Sequence, residues 1–242
     1  MRLHWAALTC VGLVRDHNED AVVVGHGLLT GDMDGTVAGE WDPSDGPLVL
    51  AVADGMGGHA AGEVASGAVA DGLAAGFTAP VGPAAVVERL EGLNRALYDW
   101  MVEEPATAGM GTTVAGVVAS AEGVVVFHAG DSRVYLRRSG VWEQATRDDV
   151  VAPGSSMLTN CLGGEARFTE AEVHTSVHTW DGLDGVLVCS DGLCDLVDPA
   201  SVPLPDGVAA ADLAVVLREL ALAGGGHDNI SVVVADLTLP GG

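Results

Sequence analysis

The apolar residues of this chain fall mainly in short, valine-rich runs that are separated by Gly, Asp and Ser. Such runs are typical of β-strands, because β-branched side chains pack well on a pleated, half-buried surface. Two of the runs have only a turn that contains Ala121-Glu122-Gly123 between them, which predicts a hairpin and favours antiparallel pairing. The strands predicted in this way are residues 21–24, 48–53, 114–119, 124–128, 186–189 and 230–235.

Three longer segments, residues 59–77, 83–101 and 209–223, carry apolar residues at every third or fourth position. This spacing predicts helices that each bury one stripe, and the proline that opens the second segment suits a first helical turn. Helices that cover antiparallel sheets indicate an α+β layered fold. The polar segment 31–47 is expected to be an exposed loop, and because no stretch resembles a linker we expect one domain over residues 1–242.

Composition and charge narrow the functional classes. Hydrophobic residues make up 48% of the chain and the mean hydropathy is +0.34, which is enough for a sizeable core. Acidic residues outnumber basic ones 34 to 10, all ten basic residues are Arg, and the formal charge is −24. Because this charge repels nucleic-acid backbones and anionic lipids, we expect no nucleic acid and no membrane among the partners. The acidity could serve solubility alone, or come partly from carboxylates gathered around cations.

The cysteines and the N-terminus bear on location. The four cysteines, Cys10, Cys161, Cys189 and Cys194, lack the paired spacing of a zinc site, so we expect buried, reduced thiols. The N-terminal segment contains no apolar run as long as a signal-peptide core or a membrane span. These features predict a cytoplasmic location.

Aspartates at the ends of predicted strands are the main candidates for chemistry. Asp54, Asp131 and Asp191 each end a valine-rich run, and Asp228 stands just before one. Each of them alone is better explained as a turn residue, but four at equivalent positions predict a shared site. Oxygen donors without a His or Cys cluster suit Mg²⁺ or Mn²⁺, and two such ions about 3.5–4 Å apart can activate a water for attack on a phosphoryl group.

Two other patterns suggest different functions. The stretch Gly55-Met56-Gly57-Gly58-His59-Ala60 fits the dinucleotide-binding pattern, which would make the protein a nucleotide-dependent oxidoreductase. Asp54 would bring negative charge close to the pyrophosphate, and no acidic residue follows at the expected distance for the ribose. Asp32-x-Asp34-Gly35 hints at a calcium loop, but its glycine comes too early for an EF-hand and the stretch is interpreted as a turn.

Seven short motifs follow one another along the chain. They are Arg15-Asp16-His17-Asn18-Glu19-Asp20, Asp54-Gly55-Met56-Gly57-Gly58, Gly109-Met110-Gly111-Thr112-Thr113, Gly130-Asp131-Ser132-Arg133, Leu158-Thr159-Asn160-Cys161-Leu162-Gly163, Ser190-Asp191-Gly192 and His227-Asp228-Asn229-Ile230-Ser231. In this order they resemble the bacterial metal-dependent (PPM, or type 2C) protein serine/threonine phosphatases, and the resemblance extends over residues 10–237.

The resemblance implies a central antiparallel β-sandwich flanked by helices on both sides, with two or three Mn²⁺ or Mg²⁺ ions at one end. By carry-over, Asp54 bridges two ions and the Gly55 carbonyl binds one of them. Asp191 and Asp228 complete the second ion's shell, and Asp131 joins Asp191 at a third. The implied reaction is hydrolysis of phosphoserine or phosphothreonine by direct attack of a metal-bridging hydroxide.

The resemblance also implies roles for residues that do not bind metal. Arg15 would be a catalytic residue that binds the substrate phosphate with its planar guanidinium, although a surface ion pair with Asp16 or Glu19 is the simpler alternative. Glu19 and Asp20 would be catalytic through hydrogen bonds that orient waters. A further set is expected to be structural: Thr112, Thr113 and Arg133.

Two departures from the family pattern matter. Many eukaryotic members carry a histidine after the Asp-Gly pair as proton donor, whereas this chain has Met56. His59 or a metal-bound water is then a candidate general acid, although a residue at a helix start is the simpler explanation for His59. The second departure is the stretch 146–158, which is shorter than the partly helical flap of bacterial relatives and predicts a more open channel.

The partners implied are phosphorylated proteins, substrates of a cytoplasmic Ser/Thr kinase in a bacterial signalling pathway, and we expect a monomer. The alternative is a non-catalytic, metal-stabilised regulator that only binds phosphoproteins. Such a protein would bind phosphoproteins without turnover.

Overall fold

The computed structural model describes residues 1–33, 35–57, 61–203 and 207–238. Its helices are α1 (Ala61–Ala74), α2 (Pro83–Glu103), α3 (Asp191–Cys194) and α4 (Ala210–Ala223). Its strands are β1 (Arg2–Cys10), β2 (Asp20–Val24), β3 (Gly27–Thr30), β4 (Val37–Trp41), β5 (Leu48–Met56), β6 (Gly111–Thr112), β7 (Val114–Ala119), β8 (Val124–Ala129), β9 (Arg133–Arg138), β10 (Val141–Gln144), β11 (Leu162–Gly163), β12 (His174–His178), β13 (Leu183–Cys189) and β14 (Ile230–Thr238).

These strands form two sheets in which the neighbouring strands run antiparallel. One sheet has six strands in the order β10-β9-β13-β14-β1-β4. The other has eight, with the path β11-β6-β5-β7-β8-β12 and with β2 and β3 attached through β5. The predicted strands all lie within these sheets, so the valine-rich runs were a sound guide to the architecture.

The core has three layers because side chains alternate between the two faces of each strand. Along β5, Leu50 and Val52 point into the core between the sheets, whereas Val49 and Ala51 face α1 and α2. On the other side of the sandwich, α3 and α4 pack against the six-stranded sheet. The arrangement is helix, sheet, sheet, helix, which confirms the predicted α+β sandwich.

Some sequence expectations need correction. The segment 31–47 is not simply a loop, because it contains β4, which pairs with β1 at the edge of the six-stranded sheet. Trp41 ends this strand, is only 4% exposed, and donates its indole N–H to the Gly46 carbonyl at 2.8 Å. An aromatic residue inside a polar segment was the signal that the sequence reading missed.

The fold also argues against the dinucleotide-binding and calcium-loop interpretations. A dinucleotide site of the expected kind needs a parallel βαβ unit, but β5 pairs antiparallel with β2, β6 and β7. In the calcium-like stretch, Asp32 accepts the Val11 backbone N–H at 3.0 Å, a contact across 21 positions, and Asp34 lies outside the described residues. Among the described residues, no helix is long and apolar enough to cross a membrane.

Candidate functional site

A cavity of about 460 Å³ opens at one end of the sandwich, beside the ends of β5 and β13 and the start of β14. Cavities of about 610 and 660 Å³ exist elsewhere, but neither gathers a comparable group of carboxylates. The cavity of about 460 Å³ is therefore the candidate active site. Its walls are formed by Arg15, His17, Glu19, Asp54, Gly55, Met56, Gly57, Thr113, Asp131, Ser156, Leu158, Asp191, Asp228 and Asn229.

The structure thus brings together every candidate metal ligand of the sequence reading, together with Arg15 and Glu19. Asp20 lies directly beside them, because it is the register partner of Asp54 across β2 and β5, and it is only 2% exposed. The remaining candidate, His59, lies outside the described residues. Residues far apart in sequence converge here because neighbouring strands end at the same edge of the sandwich.

Asp54 is held in place through its backbone by two threonines. The Thr113 hydroxyl accepts the Asp54 N–H at 3.3 Å, and the Thr113 N–H donates to the Asp54 carbonyl at 2.9 Å. The Thr112 hydroxyl donates to the same carbonyl at 2.9 Å. Both threonines therefore have the structural role expected of them.

The next residue, Gly55, has no room for a side chain. A Cβ atom there would lie 2.2 Å from the Gly62 carbonyl oxygen and 2.7 Å from that of Glu19. The Gly55 N–H donates to the Glu19 carbonyl at 3.1 Å, which ties β5 to the residue before β2. The start of α1 can approach the site only because this position is glycine.

Asp191 and Asp228 are placed by a second set of close contacts. Asp191 begins α3 immediately after β13, and a Cβ atom on Gly192 would lie 2.0 Å from the Asn229 carbonyl oxygen. The Ser190 hydroxyl donates to Asp20 Oδ2 at 2.9 Å, so it links the buried carboxylate to the end of β13. These contacts fix the backbone on which both aspartates stand.

Asn229 organises the site but was given no role by sequence reasoning. Its Oδ1 accepts the Glu19 N–H at 2.8 Å, and its Nδ2 donates to the carbonyls of Val11 and His17 at 3.1 and 3.0 Å. It therefore fastens the N-terminal motif to the residue beside Asp228. Its place directly after Asp228 was the only sequence signal.

The carboxylates crowd one another. Burial raises the pKa of Asp20 and of Asp131 to about 7, and the charge of Asp191 adds to the rise in both. Burial and the charges of Asp20 and Asp191 raise the pKa of Asp54 well above its ordinary value, and burial also raises the pKa of Asp191. The negative charge of this pocket is poorly compensated by the protein alone.

Two buried carboxylate oxygens, Asp20 Oδ1 and Asp191 Oδ1, have no hydrogen-bond partner among the described residues. Buried polar atoms are almost always paired, so such orphans need an explanation. A divalent cation supplies one, because an oxygen-only donor set with excess negative charge suits Mg²⁺ or Mn²⁺. The residues present therefore fit the metal ions that the sequence predicts.

Arg15 makes a different ion pair from the surface alternative considered above. Its Nη2 donates to Asp228 Oδ2 at 2.6 Å, and this hydrogen bond raises the pKa of the guanidinium. Half of its side chain remains exposed at the cavity, so the arginine can reach a ligand there.

His17 is a cavity residue to which sequence reasoning gave no role. Its Nε2 lies 3.3 Å from Glu19 Oε1 and its Nδ1 contacts Asp16, and these two carboxylates raise the pKa of the imidazole. It is the imidazole that lines this cavity among the described residues. Its position inside the first motif was a signal that could have found it.

Two expectations concern residues outside the group of carboxylates. Arg133 is a structural residue, as predicted, because its guanidinium grips Asp148 with contacts of 2.6–3.0 Å. The segment 146–158 is a short non-helical excursion closed by a bridge between Val150 and Leu158. It nevertheless reaches the cavity, since Leu158 is part of the wall.

Comparisons with known proteins point to one family. The sequence profile of a family described as protein phosphatase 2C matches residues 34–209. The serine/threonine protein phosphatase PstP of Mycobacterium tuberculosis is 35% identical over 97% of this chain, which spans only 45% of that relative's length. The serine/threonine phosphatase stp of Listeria innocua is 28% identical, with coverage of 98% and 97%. A crystal structure of the PstP catalytic domain in complex with two manganese ions has a TM-score of 0.71 at 32% identity and covers 98% of this chain and 99% of that one.

Proposed function

Because this chain belongs to the protein phosphatase 2C family, we propose that it hydrolyses phosphoserine and phosphothreonine esters in proteins. The observation that carries the proposal is the cavity in which Asp54, Asp131, Asp191 and Asp228 lie around one space with Arg15 at its edge. The names of the PstP and stp relatives support the same activity. A non-catalytic phosphoprotein-binding regulator is the weaker candidate, because it would not need the full set of ligands.

The metal sites follow from the same cavity. Asp54 and the Gly55 carbonyl would hold one ion, Asp54, Asp191 and Asp228 a second, and Asp131 with Asp191 a third. The manganese ions in the PstP catalytic-domain structure support Mn²⁺, and Mg²⁺ fits the same oxygen donors. When bound, such ions neutralise the carboxylates and lower the pKa of a coordinated water.

The protein's own groups would carry the remaining steps. Arg15 would exchange its bond to Asp228 for two oxygens of the substrate phosphate, since a guanidinium can bind both at once. Glu19 and Asp20 would hold the attacking water in position. As water attacks phosphorus, the bond between phosphorus and the serine or threonine oxygen breaks. That oxygen then needs a proton.

His17 is the described group best placed to supply that proton. Its imidazole lines the cavity, and its raised pKa keeps it protonated over more of the neutral range. We expect His17→Gln to lower kcat for a serine phosphate substrate much more than for p-nitrophenyl phosphate, whose leaving group needs no proton. An equal loss on both substrates would contradict this role.

The physiological setting is part of the proposal. The substrates would be phosphoproteins of a Ser/Thr kinase, and the chain would act as a single-domain monomer in the cytoplasm. The short excursion 146–158 leaves the cavity open on one side, so substrate choice would depend little on a flap. If a longer flap grafted there sharpens the preference among phosphopeptides, this view is supported, whereas an unchanged preference counts against it.

The activity is tested by phosphate release from a phosphothreonine peptide in Mn²⁺, with and without a chelator. We expect metal-dependent turnover that Asp54→Asn and Asp191→Asn reduce by at least about 10³-fold, because each removes charge from the centre of the site. Asp181→Asn, on an exposed turn, is the matched control and should keep full activity. Tight peptide binding without turnover in the unmodified protein would favour the regulator instead.

A further inference from the structure

A second cluster of ligand-type side chains lies apart from the carboxylate cavity. His128 at the end of β8 and His174 at the start of β12 are direct register partners, and their rings stack with centroids 4.8 Å apart. Asp149, from the segment after β10, completes the group. One ligand atom from each residue can be chosen so that all three lie within 4.8 Å of one another, and a small shift of the side chains would gather them around a single ion.

The hydrogen bonds determine which atoms are available. His128 Nε2 lies 2.8 Å from the Arg147 carbonyl, and because a carbonyl only accepts, Nε2 must carry the proton. The lone pair of the neutral ring is then on Nδ1. Burial lowers the pKa of His128 and favours this neutral form. A metal-binding histidine whose other nitrogen donates to a backbone carbonyl is the usual arrangement in proteins.

Hydrogen bonds also fix the orientation of the Asp149 carboxylate. Its Oδ2 accepts the Gly130 N–H at 2.9 Å and the Asn160 side-chain amide at 2.7 Å, so the carboxylate is fixed in direction. Its Oδ1 faces His174 Nε2 at 3.1 Å. A simple ion pair between His174 and Asp149 would account for that contact, but it gives no role to His128, whose ring stacks on that of His174.

The surroundings leave room for an ion and a water. His128 is 6% exposed, and the side chains of Asp149 and His174 are 14% and 35% exposed. All three line a cavity of about 500 Å³ that is distinct from the carboxylate cavity. A site that is mostly buried but open on one side suits a metal with three protein ligands and one water.

We propose that His128, Asp149 and His174 bind one transition-metal ion of the Zn²⁺ class, in addition to the ions of the carboxylate cavity. Two imidazoles and one carboxylate prefer Zn²⁺ to Mg²⁺, which takes oxygen ligands. The ion joins β8, β12 and the segment that carries Asp149. Since Asp149 also holds the Gly130 N–H, the ion steadies the turn that precedes Asp131.

The test is a Zn²⁺ titration of the chelator-stripped full chain with Mg²⁺ in large excess to fill the oxygen-only sites. The variant is His174→Ala and the matched control is His178→Ala, because both histidines lie on β12 and only His174 belongs to the cluster. We expect the unmodified protein and the control to bind one more equivalent of Zn²⁺ than His174→Ala. The loss of affinity should exceed the roughly 10–100-fold typical of losing an outer-shell partner.

Co²⁺ absorption spectroscopy of the unmodified protein tests the site without relying on a folded variant. Co²⁺ at a four-coordinate site with two imidazoles absorbs visible light strongly, whereas six-coordinate oxygen sites absorb weakly. The strong band should appear in the unmodified protein under excess Mg²⁺ and be displaced by one equivalent of Zn²⁺. Its absence, or equal Zn²⁺ binding by the unmodified protein and a folded His174→Ala, overturns the proposal.

Discussion

Replacing Asp20 with asparagine should stabilise the metal-free protein at alkaline pH. Asp20 is 2% exposed, one of its oxygens has no hydrogen-bond partner in the described part of the chain, and burial together with the charges of Asp191 and Asp228 raises its pKa to about 7. In the unfolded chain the same carboxyl titrates near its ordinary value of 3.8. The folded state therefore holds a proton that the unfolded state releases, and this favours folding only while the pH is low.

The sign and size of the effect follow from that difference. The stabilisation is complete below about pH 4 and is lost as the pH rises through about 7. A pKa rise from 3.8 to about 7 corresponds to at most about 4 kcal/mol. The asparagine amide buries an unpaired donor at a cost of about 1–3 kcal/mol. The net gain at pH 8 is then about 1–3 kcal/mol, or roughly 2–12 °C in Tm for a chain of this size.

Thermal unfolding in EDTA between pH 5 and pH 8.5 measures this directly, with Asp181→Asn as the exposed control. We expect Asp20→Asn to be the more stable protein at pH 8 and to lose most of that advantage at pH 5, where the unmodified protein keeps its bound proton. In saturating Mn²⁺ the order at pH 8 should reverse, because only the aspartate contributes charge to the site. An Asp20→Asn protein that is no more stable than the unmodified one at pH 8 in EDTA would refute the reasoning.

Three further substitutions probe the parts around the site. Gly192→Ala places a Cβ atom 2.0 Å from the Asn229 carbonyl oxygen and should lower both activity and Tm. Gly67→Ala, whose Cβ atom would have nothing within 4 Å, should instead raise helix stability by about 0.5–1 kcal/mol. Equal Tm values for the two variants would contradict the steric argument. Arg133→Ala leaves the half-buried Asp148 without its ion-pair partner and should lower the free energy of unfolding, measured in urea, by about 3 kcal/mol. Arg133→Lys should restore only part of this loss. Arg15→Ala should lower kcat/KM for a phosphopeptide by about 10²-fold while metal binding persists, and Arg15→Lys should recover part of the loss; an unchanged kcat/KM would exclude Arg15 from phosphate binding.

Six of the fourteen described strands, and the acidic site, could be predicted because their signals are local. Valine-rich runs bounded by turn residues mark strands, and aspartates at the ends of those runs mark one edge of the sheets. The strand β4 escaped notice because it lies at a sheet edge and consists largely of exposed residues, so its sequence looks like a loop. Its buried residue, Trp41, was a weak signal by itself.

The partners of individual side chains could not be predicted. Arg15 reaches Asp228 across 213 positions, and Asn229 contacts carbonyls more than 200 positions away. The His128, Asp149 and His174 cluster likewise depends on strand register, and a one-residue slip between β8 and β12 would turn the histidines to opposite faces. Spacing along the chain carries no information about such contacts.

The central claim is that carboxylates from distant parts of the chain hold neighbouring divalent cations in one cavity. Anomalous diffraction at the manganese edge, from a crystal soaked in Mn²⁺, tests it most directly. The account predicts at least two peaks in the cavity, each within coordination distance of Asp54, with Asp191 and Asp228 bound to one of them. A fully soaked crystal with no peak beside Asp54 would contradict it.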